Sequence, residues 1–219
     1  ALLYGKKTTK VENKPSEAQQ RSAMPADEYE SFVAEMRNLQ KSNSDLVSLE
    51  KYGKSDDGRD CVYLKMGTAD KPKILIEGGL GAGERQTVAA TVKLLRAMIQ
   101  NRDDKEVRWL LANREVYFVP VASPDAFVSG VQQKCAFPDG TRLNATTASI
   151  KSLVEFANEM KFKAVLSLHS EGINIAEPIG VRSKDRAAIS KVVEKMSAVS
   201  GMAIGEKSRS EEHTSELQS

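Results

Sequence analysis

Apolar residues recur along this chain in two rhythms. Tyr29, Phe32, Val33, Met36 and Leu39 fall three or four apart, which predicts an amphipathic helix over 25–40, opened by Pro25 and acidic residues. DLVSLEKYG (45–53) alternates apolar with polar and predicts a strand. SDDGRD follows with Asp57-Gly58 as a hairpin signal, and CVYLKMG (61–67) is the returning strand. KILIEGG (73–79) is an apolar run of the kind found in central strands covered on both faces, and EVYFVPV (115–121) and KAVLSLHS (163–170) read as two more buried strands.

Helical spacing returns between those strands. Val88, Thr91, Val92, Leu95 and Met98 share one face of a helix expected over 84–100. DKEVRWLLANR (104–114) is a shorter helix or turn, with Trp109 as its core anchor. Residues 149–160 form a helix with Ile150, Leu153, Val154 and Phe156 or Ala157 inward, and residues 185–201 another, stopped by Gly201. The stretch 122–147, with Pro124, Gly130, Pro138 and Gly140, reads as loop, and residues 1–24 as an N-terminal arm or linker. Strands alternating with helices imply an α/β fold, a mixed twisted β-sheet with helices on both faces.

Composition narrows the field. The 219 residues are 40% hydrophobic and 28% charged, ordinary for a globular chain with a real core. The last eleven, RSEEHTSELQS (209–219), resemble one reading frame of a sequencing adapter and are expected to be a non-native tail. Setting them aside moves the net charge from +2 to +4 and leaves His169 as the sole histidine. Neither charge points to nucleic acid or an anionic membrane as partner. Cys61 and Cys135 match no zinc or redox spacing and read first as small buried hydrophobes, with a disulfide as the alternative.

The chemistry gathers in ILIEGGLGAGERQT (74–87). Gly78 and Gly83 fit a phosphate-binding loop, but Glu84 and Arg85 stand where Lys and Ser/Thr belong. A carboxylate in the lysine's place turns an attraction of about 4 kcal/mol into a similar repulsion. Nucleotide binding through 78–83 is therefore a remote alternative.

The same stretch resembles the I-x-G-G-x-H-A-R-E-W motif of the zinc carboxypeptidases. Gly78, Gly79, Ala82 and Glu84 match, while Gly81 stands at the histidine, Gly83 at the arginine and Arg85 at the tryptophan. Four further segments, one upstream and three downstream, stand in the family's order. The hairpin GKSDDGR keeps Gly53, Ser55, Gly58 and Arg59. PVASPDA resembles P-x-x-N-P-D-G, with Ser123 for Asn and Ala126 for Gly. GTRLNATT resembles G-V-D-L-N-R-N, with Ala145 for the arginine. AVLSLHSEG resembles the strand that ends in H-S-Y, keeping His169 and Ser170 and carrying Glu171 for Tyr.

The resemblance implies a carboxypeptidase A-like (phosphorylase/hydrolase-like) fold over 25–208, with an eight-stranded sheet, incomplete at its C-terminus. It implies zinc as cofactor, peptide or protein C-termini as partners, and removal of C-terminal residues as the activity, in an extracellular or secretory setting. Carried over residue by residue, Glu84 and His169 are the metal ligands, with Gly81 at a lost ligand position. Asn144 and Arg142 are the substrate-binding candidates, and Ala145 marks a lost carboxylate clamp. The family's general-base glutamate and closing tyrosine fall beyond residue 219, and the Asn144–His169 spacing is dozens of residues short. Two readings follow: a zinc metallocarboxypeptidase with impaired or lost catalysis, or a non-catalytic pseudo-peptidase that binds peptides or protein partners.

Overall fold

Strand Asp60–Gly67 (β2) divides its side chains between two faces, as strict alternation requires. Val62, Leu64 and Met66 are buried on one face and Tyr63 on the other. In this computed structural model, residues 26–131, 147–170, 174–176 and 183–205 are described. They fall into two compact units, one formed by 26–131 with 147–169 and the other by residues from 170 onward.

In the first unit a five-stranded sheet runs in the order β1-β2-β4-β3-β5. Strand β1 (Val47–Lys54) pairs antiparallel with β2, from Val47 opposite Met66 to Lys54 opposite Asp60, with an irregularity between Lys51 and Gly53. Strand β4 (Glu115–Val119) is antiparallel to β2 and parallel to β3 (Lys73–Glu77), which is parallel in turn to β5 (Ala164–Ser167). Every residue of β4 is buried, as its apolar run predicts for a strand covered on both faces.

Helices α1 (Ala26–Ser42), α2 (Arg85–Gln100) and α3 (Lys105–Asn113) cover one face, where Met36, Leu95, Met98 and Leu111 meet Leu64, Met66, Ile76, Val116 and Phe118. Helix α5 (Ala148–Met160) covers the other, where Leu153 and Phe156 meet Tyr63, Leu75, Tyr117 and Val119. Thr147 caps α5 by accepting from Ile150 N, and Asp104 caps α3 by accepting from Glu106 N at 2.9 Å. The mixed sheet with helices on both faces is the expected fold class.

Three local expectations need correction. Strand β5 is not buried: its other edge has no partner strand among the described residues, and Val165 is 54% exposed. Trp109 is not a core anchor but 59% exposed, with the Arg114 guanidinium 5.7 Å from its ring centre, because the buried position of α3 is Leu111. The expected loop after Val121 contains a short helix, α4 (Pro124–Ser129), started by Pro124 and stopped by Gly130 at φ 65°. Cys61 is buried and unpaired, whereas Cys135 lies outside the described residues.

The second unit places helix α6 (Ser183–Ser200) between two short strands, β6 (Asn174–Ile175) and β7 (Ala203–Ile204), which pair in parallel. Gly201 follows α6 at φ 72°, as a glycine stop should. Among the described residues no helix is long and apolar enough to cross a membrane.

Candidate metal centre at the end of the parallel strands

The parallel strands β4, β3 and β5 end at the same edge of the sheet, where open α/β sheets usually place their ligands. The chain after β3 is held there on both sides. Gly78 N donates to Val119 O at 3.0 Å, Ala122 N and Ser123 N donate to Gly78 O and Gly79 O at 3.0 Å, and Leu168 N donates to Glu77 O at 2.9 Å. Gly79 has φ 60°, and a Cβ there would lie 2.9 Å from Pro120 O and 2.8 Å from Val88 Cγ2. Only glycine fits both that conformation and that approach. Thr87 locks the turn to α2, because its Oγ1 accepts from Gly79 N at 2.8 Å and donates to Glu84 O at 2.9 Å.

Glu84 occupies the position just before α2, without a side-chain cap bond to the helix, and is 8% exposed. Its Oε2 accepts from both Leu80 N and Gly81 N at 3.0 Å. Its Oε1 stands 3.3 Å from His169 Nδ1, two residues beyond β5. A hydrogen bond at that contact is made by the imidazole form that carries a proton on Nδ1. The His169 side chain is half exposed. The structure thus brings Glu84 and His169 together, with Gly81 backbone in the same turn. Asn144, Arg142, Ala145 and Glu171 lie outside the described residues.

Two further carboxylates stand outside the ligand set that the motif implies. Glu77, the last residue of β3, accepts from Ser167 Oγ, and burial pushes its pKa up against the lowering influence of that bond and of His169. Its signal was the acid closing an apolar strand. Asp125 is 5% exposed and accepts from Ser55 Oγ at 2.7 Å, from Asp57 N at 3.1 Å and from an Arg59 Nη1–H. It fastens α4 to the β1–β2 hairpin, so the two motif segments GKSDDGR and SPDA meet in space.

A catalytic zinc takes three protein ligands and keeps one position open for water. Gly81 has no side chain to donate. Among the described residues no group of three His, Cys, Asp or Glu side chains is placed to hold a metal ion. Each carboxylate oxygen has about two lone-pair positions, and the two N–H groups on Glu84 Oε2 fill that oxygen. Among the described residues, Glu84 leaves one position on Oε1 and His169 one imidazole, which does not fit a three-ligand zinc site.

The zinc carboxypeptidase family model matches residues 32–147. This chain belongs to the zinc carboxypeptidase family. Its domain is 30% identical over 105 residues to the carboxypeptidase B of Astacus astacus, a match covering 46% of this chain and 33% of that protein. The chain therefore spans about a third of the length of that curated relative. The fold is shared with the crystal structure of carboxypeptidase A from Helicoverpa armigera at TM-score 0.66 and 19% identity, over 78% of this chain and 52% of that one. It is also shared with bovine thrombin-activatable fibrinolysis inhibitor in complex with tick carboxypeptidase inhibitor, at TM-score 0.65 and 18% identity, over 90% of this chain and 79% of that one. The carboxypeptidase A-like fold and the family agree with the order of motifs along the sequence.

Proposed function

We propose that this carboxypeptidase-family domain has lost zinc-dependent hydrolysis of C-terminal peptide bonds at the β3–α2 turn and retains recognition of peptide or protein C-termini. The observation that carries the reading is Gly81, whose N–H donates to Glu84 at the position where the family motif has a histidine. A missing outer-shell partner already costs a zinc site about 10–100-fold in affinity, and a missing ligand costs more. Without the metal, no water is activated as nucleophile. The domain runs from residue 25 to 208, and Glu84 and His169 are the surviving ligand positions. Asn144 and Arg142 are the candidates for the peptide's terminal carboxylate, and Asn144 beside Ala145 makes a weaker contact than an arginine fork. That a structural relative is seen with a carboxypeptidase inhibitor supports a protein or peptide partner.

Nucleotide binding at 78–83 is disfavoured by the same turn. The Leu80 and Gly81 N–H groups that would face a phosphate are already taken by Glu84, so a phosphate would meet a carboxylate.

The test uses the 219-residue chain and a fluorescent peptide with either a free or an amidated C-terminus. The reading expects binding of the free-carboxylate form only, and no release of the terminal residue with zinc supplied. The Gly81→His variant is expected to bind zinc at least about 100-fold more tightly than the wild type. Zinc-dependent release of the terminal residue by the wild type would refute the loss of hydrolysis. Equal affinity for the amidated peptide would refute C-terminal recognition.

A further inference from the structure

The Glu84 carboxylate has a job in this chain that needs no cation. Leu80 and Gly81 sit in a turn ahead of α2, and among the described residues their N–H groups meet Glu84 Oε2 at 3.0 Å. The two donors are part-buried, and this carboxylate supplies one oxygen for both of them. The other oxygen reaches His169 on the far side of β3, at 3.3 Å. One side chain, nine-tenths buried, therefore ties three points from two segments: the glycine turn twice and the end of β5 once. A metal in the family's position would find only the second lone-pair position of Oε1 open on this carboxylate.

We propose that Glu84 is a structural pin that holds the β3–α2 turn and the β5 tip together, in the role a bound cation would otherwise fill. This deepens the reading of the turn as a lost zinc site. The pin is built from the sequence itself: the Gly81 N–H faces the carboxylate, and Gly83 at φ 78° stands immediately before Glu84 in the turn.

Amide hydrogen exchange, read residue by residue on the 15N-labelled full chain, tests the pin. In the wild type the Leu80 and Gly81 amides should exchange at rates that agree within about twofold in EDTA and in excess zinc. Glu84→Ala should speed those two amides at least tenfold and leave the β4 amides of Val116 and Phe118 unchanged. Glu84→Gln keeps an oxygen for the two N–H groups and should recover most of the protection. His169→Ala should loosen the amides at the β5 tip and leave Leu80 protected. Slowing by zinc of tenfold or more in the wild type overturns the proposal, because a cation would then be the pin. Leu80 and Gly81 rates in Glu84→Ala within twofold of wild type overturn it as well. If Glu84→Ala does not fold, the Gln variant and the zinc comparison decide: protection retained in both supports the pin, and protection lost in Glu84→Gln with zinc protecting the wild type overturns it. Protection by zinc leaves C-terminal recognition standing, and failure to bind a free C-terminus leaves the pin standing, so the two readings fail separately.

Discussion

Asp125→Ala is the sharpest test of how this domain is held together away from the turn. The Asp125 side chain is 6% exposed and Arg59 is 19% exposed, so their contact is poorly screened. Three donors lose an acceptor: Ser55 Oγ, Asp57 N and Arg59 Nη1. Removing one partner of a buried charge pair costs about 3–5 kcal/mol. Arg59 keeps Asp57 Oδ2 at 2.7 Å and some water, which places the loss near the lower end, about 3 kcal/mol. With a urea slope of about 2 kcal/mol per molar, the unfolding midpoint falls by about 1.5 M. The assay is far-ultraviolet circular dichroism, because Trp109 stands 59% exposed and its fluorescence responds little to unfolding. A cycle with Arg59→Ala isolates the pair. Arg59→Ala alone should cost about 2 kcal/mol, and the double variant less than the sum by about 1.5 kcal/mol. If the two losses add within about 0.5 kcal/mol, Asp125 and Arg59 do not act together and the account of the hairpin–α4 junction is wrong.

Two further expectations follow from burial and backbone geometry. Gly79→Ala forces a side chain into φ 60° and sets its Cβ 2.9 Å from the Pro120 carbonyl oxygen, so it should destabilise by more than about 2 kcal/mol; a midpoint shift under half a molar in urea would contradict the close approach. Burial pushes the Cys61 thiol up to about 12, so its proton stays on in the folded state where the unfolded thiol, near about 8.5, has lost it. Between about pH 8.5 and 10 stability should then fall, with a slope approaching about 1.4 kcal/mol per unit, and Cys61→Ala should remove the slope in that window; above about pH 10 the buried tyrosines Tyr29, Tyr52, Tyr63 and Tyr117, also raised by burial, add a fall of the same sign. Mass spectrometry after iodoacetamide at pH 8 should find Cys61 unlabelled in the folded chain and fully labelled in denaturant, and native labelling would refute its burial.

The strands and helices of the sheet were legible because one period governs each of them. Leu75 alternates with Ile74 and Ile76 across the sheet, and Val88, Thr91, Leu95 and Met98 form one stripe of α2. The motif order foretold the meeting of Glu84 with His169, which are 85 residues apart in the chain. Their orientation was not legible, because residue types do not say whether a carboxylate faces a metal or the backbone N–H groups beside it. Strand β5 looked buried because Ala164, Val165 and Leu166 are apolar, but the exposure of an edge is set by what pairs with it. Trp109 misled in the same way, since a large apolar ring also serves as a stacking plate for Arg114. Helix α4 was hidden by Pro124 and Gly130, which read as loop residues but serve as its start and stop.

The sheet's two faces differ in optical character. Tyr63, Tyr117, Phe156 and Phe162 gather their rings on the α5 side, with centroids 4.8 to 6.1 Å apart, while methionine and branched aliphatic side chains dominate beneath α1 and α2. Near-ultraviolet ellipticity therefore draws on both layers, on the α5 side through these four rings and on the other through the stacked Tyr29–Phe32 pair 6.2 Å apart. The methyl resonances of Met36, Met66 and Met98 report the α1–α2 layer by itself, without an added probe.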